Sequence, residues 1–225
     1  MQAYFAMQIG LWTVFNPAST AFQRAERWRL CSWHWSCPIQ AQWVSYDKIS
    51  ANLKRAVLVG EDDIFFQHKG VRVEDMQKAW EKNQQQVGKF DGRSKLALRG
   101  GSTITQQLAK NLFLWPEKSF VRKGEEALIT LMIETTWSKR RILEVYMNEI
   151  EWGNGIFGAE AASRHYFGIS ANELNEYQAA MLASMVPSPQ YYDRKGETEG
   201  LARQTEVILE RMNKVAIPPS SGTHR

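Results

Sequence analysis

Arg99 to Asn111 reads RGGSTITQQLAKN. Two glycines free the backbone, and Thr103 followed three residues later by Gln106 fits the reciprocal capping pattern, so a helix is predicted to begin here. Along that helix Thr103, Gln107, Lys110 and Asn111 share one face, while Ile104, Leu108 and Leu112 share another. One side packs; the other presents an amide, an ammonium and hydroxyls. The helix N-terminus is predicted to offer unpaired amides to an anion. The glycine and lysine spacing of a Walker A loop is absent, so a nucleoside-triphosphate fold is not indicated. A well-capped surface helix accounts locally for the same residues.

Upstream, Glu61 to Gly70 reads EDDIFFQHKG and follows an amphipathic helix that starts near Ser50, with Leu53, Val57, Gly60 and Ile64 at helical spacing. Glu61 lies at the edge of that apolar stripe, and Asp62 falls near the opposite, solvated side. A carboxylate half out of water holds its proton more tightly, which suits a general base working near neutrality. A charged helix end would use the same acids. Downstream, Arg122, Lys123 and Glu126 stand in SFVRKGEEALITLMIETTW. Arg122 precedes Glu126 by four residues, the less favourable order for a helix pair, so helix stability alone explains them poorly. Two cations and a helix start favour the charged form of Glu126, the opposite of Glu61, and opposite tendencies suggest two roles. A salt-bridged surface is the plainer alternative.

Further out, Val71 to Gln86 reads as a helix, followed by a polar, locally basic loop up to Arg99. KRRILEVYMNEI predicts a helix from Lys139 to about Ile150 with Ile142, Leu143, Tyr146, Met147 and Ile150 buried. WGNGIFG then turns into a small-residue helix, GAEAASRHYFG. Leu174 to Met185, ended by PSPQYY, and Leu201 to Met212 complete the set. No segment shows sustained strand alternation, and no repeat is present, so the chain is read as mainly α.

The 225 residues, 44% of them hydrophobic, suffice for one well-cored domain. A net charge of +4 and a pI near 9.0 favour anionic partners, but no block of Lys and Arg marks a nucleic-acid arm. The first 23 residues carry no charged side chain, and MQAYFAMQIGLWTVF is apolar, yet too short for a full span, which takes about 20 apolar residues. No basic residues precede it as in a signal peptide. Residues 1–23 are therefore expected to be membrane-associated, 24–47 a Trp-rich connector, 48–215 the folded domain and 216–225 a flexible tail. Cys31 and Cys37, with His34 between them, fall short of a four-ligand zinc site and are read as ordinary thiols. A disulfide between them would require an oxidising compartment.

Together the runs EDDIFFQHKG, GGSTITQQLAKN, RKGEEA, KRRILEVYMNEIEWGNGIFGAEAASRHYFG and QAAMLASMVPSPQYY resemble the peptidoglycan glycosyltransferases, above all the monofunctional biosynthetic transglycosylases. They stand in that family's order and cover most of residues 48–192. The resemblance implies a lysozyme-like α-helical glycosyltransferase domain that polymerises lipid-linked disaccharide-peptide (lipid II) into glycan strands, with inversion and release of polyprenyl diphosphate. It implies the inner membrane, with the domain on its periplasmic face, and wall-synthesis or division proteins as partners. Residue by residue, Glu61 resembles the catalytic base and Glu126 the second essential glutamate. Ser102, Thr103, Gln107, Lys110, Asn111, Arg122 and Lys123 resemble the donor-binding wall. No ligand cluster demands a metal, although a divalent ion such as Mg2+ near Glu126 is a family option.

The chain departs from the family's pattern at Gln178, where a Glu usually precedes the paired alanines; the position is read as structural. The stretch between Gly70 and Arg99 matches loosely, and the N-terminal run is expected to be an anchor truncated relative to the family. Two other classes share parts of this pattern. A lysozyme-like hydrolase would cleave polymer with one glutamate, but the RKGEEA block fits a diphosphate leaving group better. A non-catalytic scaffold would not need both Glu61 and Glu126.

Overall fold

The computed structural model describes residues 2–31, 39–71, 102–115 and 119–217. The expected helix over 71–86 and the loop that follows it therefore lie almost wholly outside the described residues, as does most of the 216–225 tail.

Short polar residues start most of the helices. Helix α1 spans Gln2–Leu11, α2 Ala21–Cys31 and α3 Ala51–Glu61, and α3 is capped by Ser50, whose hydroxyl accepts from the Leu53 N–H. Helix α4 (Ile104–Phe113) opens on the complete Thr103–Gln106 capping box. Ser119 and Ser138 cap α5 (Phe120–Thr136) and α6 (Lys139–Glu149). Helix α7 (Ala159–Phe167) ends at left-handed Gly168, and α8 (Glu176–Met185) has a second capping box, Asn175 with Gln178. Gln178 thus serves the start of a helix, the structural role read for that position, which a Glu would serve as well. Helices α9 (Pro189–Lys195) and α10 (Glu199–Met212) follow. PSPQYY does end α8, but it also begins α9, because proline at a first helical position gives up an amide that has no partner there anyway. Each polar cap contributes about 1 kcal/mol.

Helices α3, α8 and α10 pack on one another, and α4 packs on α5 and α6. Leu53, Val57, Ile104, Leu108, Ile142, Leu143, Tyr146, Ala179 and Ala180 lie fully buried between them. Gly60 lies at the close approach of α3 to α8 and α10, where a Cβ would stand 3.3 Å from Ile208 Cδ1 and 3.8 Å from the Ala183 carbonyl.

A small sheet accompanies the helices of this mainly α fold. Strands β1 (Gln40–Ala41), β2 (Glu151–Gly153) and β3 (Ile156–Phe157) lie in the order β1-β3-β2, with β1 parallel and β2 antiparallel to β3. Strands this short leave no alternation to read, and the glycine-rich WGNGIFG turn forms the β2–β3 hairpin.

The N-terminal segment packs on the rest of the chain. Phe5 and Ile9 of α1 are buried, Trp137 Nε1–H donates to the Ile9 carbonyl at 2.8 Å, and Arg141 donates to the carbonyls of Trp12 and Phe15. Tyr4, Met7, Leu11, Val14 and Phe15 remain exposed. Gln23 of α2 donates to buried Glu149 at 2.7 Å. Among the described residues no helix is long and apolar enough to cross a membrane. Cys31 is disulfide-bonded, which corrects the reading of ordinary thiols; Cys37 lies outside the described residues.

Candidate active site

Glu61 is the last residue of α3, half-buried where α3 meets α4. Gln107 Nε2–H donates to its Oε2 at 2.6 Å, and the amide carbonyl of Gln107 accepts from the Tyr146 hydroxyl at 3.0 Å. Burial pushes the Glu61 carboxyl above its ordinary range; the Gln107 hydrogen bond and the charge of Lys110 pull it back, and Asp62 adds to the rise.

Asp62 is buried, contrary to the solvated place its helical position predicts. The helix stops beside it, and Asp62 takes an extended φ of −163° that turns the side chain inward. His68 Nε2 lies 2.9 Å from both of its oxygens, and the Ile104 N–H donates to Oδ2 at 3.2 Å. His68 Nδ1 accepts from the Gly70 N–H, which puts the ring proton on Nε2, toward Asp62. Gly70 has φ +83°, and a Cβ there would stand 2.8 Å from Thr130 Cγ2 of α5 and 2.6 Å from Glu134 Cγ. The expected anion site at the start of α4 is therefore filled from within: Asp62 takes the Ile104 amide and Thr103 the Gln106 amide.

A second carboxylate, Glu126, lies on α5 and is 3% exposed. Arg122 Nη1–H donates to one oxygen at 3.0 Å and Lys123 Nζ to the other. Lys123 also donates to the Ser102 hydroxyl at 3.2 Å, and the Nε–H of buried Arg122 has no partner among the described residues. Lys110, one turn beyond Gln107 on α4, sits with its ammonium 5.1 Å from the Phe22 ring. Burial lowers its pKa; the Glu126 charge opposes this, Arg122 and Lys123 add to it, and Glu61 opposes it. Three cations therefore surround one carboxylate, leaving a local excess of positive charge suited to a polyanion.

The candidate residues thus fall into two groups. Gln107 serves Glu61, whereas Ser102, Arg122 and Lys123 gather at Glu126, with Lys110 electrostatically coupled to both. Thr103 is buried, capping α4 and donating to the Gly70 carbonyl. Asn111 is buried on α4. Sequence reasoning missed Asp62 and His68 as a pair, and it placed Tyr146 only in a core stripe. The one available signal was a hydroxyl where Leu or Phe would pack as well, since a buried tyrosine usually finds a partner.

A profile of the transglycosylase family matches residues 34–213. The chain is 49% identical over 223 residues to a biosynthetic peptidoglycan transglycosylase of Cupriavidus metallidurans, covering 97% of this chain and 92% of that protein. Proteins of the same name from Dechloromonas aromatica and Cupriavidus pinatubonensis are each 52% identical, over 92% and 97% of this chain and 87% and 85% of theirs.

Proposed function

The chain belongs to the transglycosylase family, and from that premise we propose how its two glutamates divide the work of a peptidoglycan glycosyltransferase in cell-wall synthesis. The substrates are lipid II and the growing glycan chain. Glu61 takes the proton of the acceptor sugar's hydroxyl as that oxygen attacks the donor's anomeric carbon. The bond from that carbon to the diphosphate breaks with inversion, and the electron pair leaves with the polyprenyl diphosphate. Lys110, Arg122 and Lys123 stabilise the charge the leaving group gains, and Glu126 holds two of these cations in place. The observation that carries this reading is the separation of the two settings: a partly desolvated carboxylate on α3 held by a neutral amide and a cation-lined one on α5. A hydrolase would need the first but has no use for the cations gathered at the second.

A divalent ion such as Mg2+ near Glu126 finds donors that do not fit it, since both carboxylate oxygens already face cations.

The membrane side of the molecule is proposed to be the surface where α1 packs on α5. Tyr4, Met7 and Leu11 on α1 and Val121, Leu128 and Leu131 on α5 are exposed there at helical spacing. The inner membrane, with the domain on its periplasmic face, also agrees with a disulfide at Cys31. Replacing Met7 and Leu11 with Glu should weaken binding to anionic phospholipid vesicles severalfold without lowering the melting temperature; unchanged vesicle binding would sink this placement.

The reaction itself is tested by incubating the chain with lipid II. Glycan polymer should accumulate, and preformed glycan should not shorten. The reverse result would make the protein a hydrolase.

A further inference from the structure

We propose that Tyr146 is a positioning residue for Glu61, acting through Gln107. The proposal deepens the reading of Glu61 as base and rests on it. A glutamine amide has one accepting end and one donating end, and which end faces a carboxylate decides whether it helps or opposes the charge. Here the choice is made from behind. Tyr146, fully buried on α6, donates its hydroxyl to Gln107 Oε1, which leaves the NH2 directed at Glu61 Oε2. The opposite orientation would aim the amide carbonyl at Glu61, where its lone pairs and the carboxylate's repel. Tyr146 is a dependable donor, because burial and the charges of Glu61 and Asp62 hold its own proton well above the ordinary tyrosine range.

The relay has two effects on the base. Donation from Gln107 favours the ionised form of Glu61, against its burial, so more of it is ready to accept a proton at neutral pH. It also fixes one oxygen, Oε2, and assigns the proton to the other, Oε1. The remaining charged neighbours do not reproduce this. Lys110 on α4 favours ionisation only through space, Asp62 disfavours it, and Arg211 of α10 is turned to Asp63.

The test is the pH profile of polymerisation from lipid II by the full chain. Tyr146→Phe keeps the ring and frees the amide to turn, so activity at neutral pH should fall about tenfold and the acid limb should move up by about one pH unit, the scale of one hydrogen bond lost from the charged form. Gln107→Leu should move the limb at least as far, and the double variant no further than Gln107→Leu alone. 3-Fluorotyrosine incorporated at position 146 keeps the packing and strengthens the donor, so it should move the limb down; this variant carries the test if Tyr146→Phe does not fold. An acid limb that stays put in Tyr146→Phe, an additive shift in the double variant, or an unmoved or raised limb with fluorotyrosine overturns the relay. Failure of the underlying base assignment looks different: Glu61→Gln would then keep polymerising.

Discussion

Glu61 and Glu126 carry the same functional group into two settings made by neighbouring helices. Glu61 closes α3, meets a neutral amide, and has its carboxyl pushed up by burial. Glu126 lies deeper, on α5, with an arginine and a lysine each in contact with one of its oxygens. The contrast shows that burial alone does not decide what a carboxylate does. A proton acceptor needs desolvation with its partner charges kept at a distance, whereas an electrostatic strut needs cations close enough to cancel that desolvation.

The largest effect should break the contrast at its first member. Glu61→Gln keeps the shape and removes the base, so polymerisation should fall by roughly two to four orders of magnitude while the protein stays folded and still binds lipid II. Because the Glu61 carboxyl is raised, the wild-type acid limb should lie above the ordinary carboxylate range: activity rises as pH passes through the raised value and is lost below it. Near-wild-type polymerisation by this variant would reverse the assignment. Glu126→Gln should reduce turnover by about a hundredfold through the diphosphate end, leaving the acid limb in place. A limb that vanished with Glu126 would exchange the two roles.

The smallest effect uses a third glutamate. Glu149 is buried like Glu126 but hydrogen-bonded to Gln23 rather than ion-paired, and burial raises its carboxyl from 4.5 to about 8. Between those values the folded chain holds a proton that the unfolded chain has released. Its contribution to stability is thus complete below about 4.5 and lost as pH rises through about 8. The melting temperature of wild type should fall across that window, and Glu149→Gln should flatten the fall without touching polymerisation. Parallel melting curves for the two proteins would show that burial is not what raises this group.

Much of this is legible in the sequence. Thr103 with Gln106 announces α4, and the Ile142, Leu143, Tyr146 and Met147 stripe announces α6, because capping and helical periodicity are local rules written in adjacent residues. Arg122, Lys123 and Glu126 meet as expected, since one helix turn brings them together. What was illegible depends on distant partners. Asp62 reads as solvated from its helical position, whereas Ile104, 42 residues away, supplies it with an amide. The bond from Gln107 to Glu61, 46 residues back, is likewise invisible in the sequence, where Gln107 is read only as part of the donor wall. The sheet escaped because two- and three-residue strands have no period.

The hydrogen bond from Ile104 to Asp62 has a mechanical consequence. By covalent bonds the two residues are separated by 42 positions; through space they are one bond apart, immediately beside the Glu61–Gln107 contact. Glu61 and the helix that carries its partner are therefore fastened at the same point, like two hands of a clock on one spindle. The alignment of base and amide is set at that pivot, which His68 steadies through Asp62 and Thr103 through the Gly70 carbonyl.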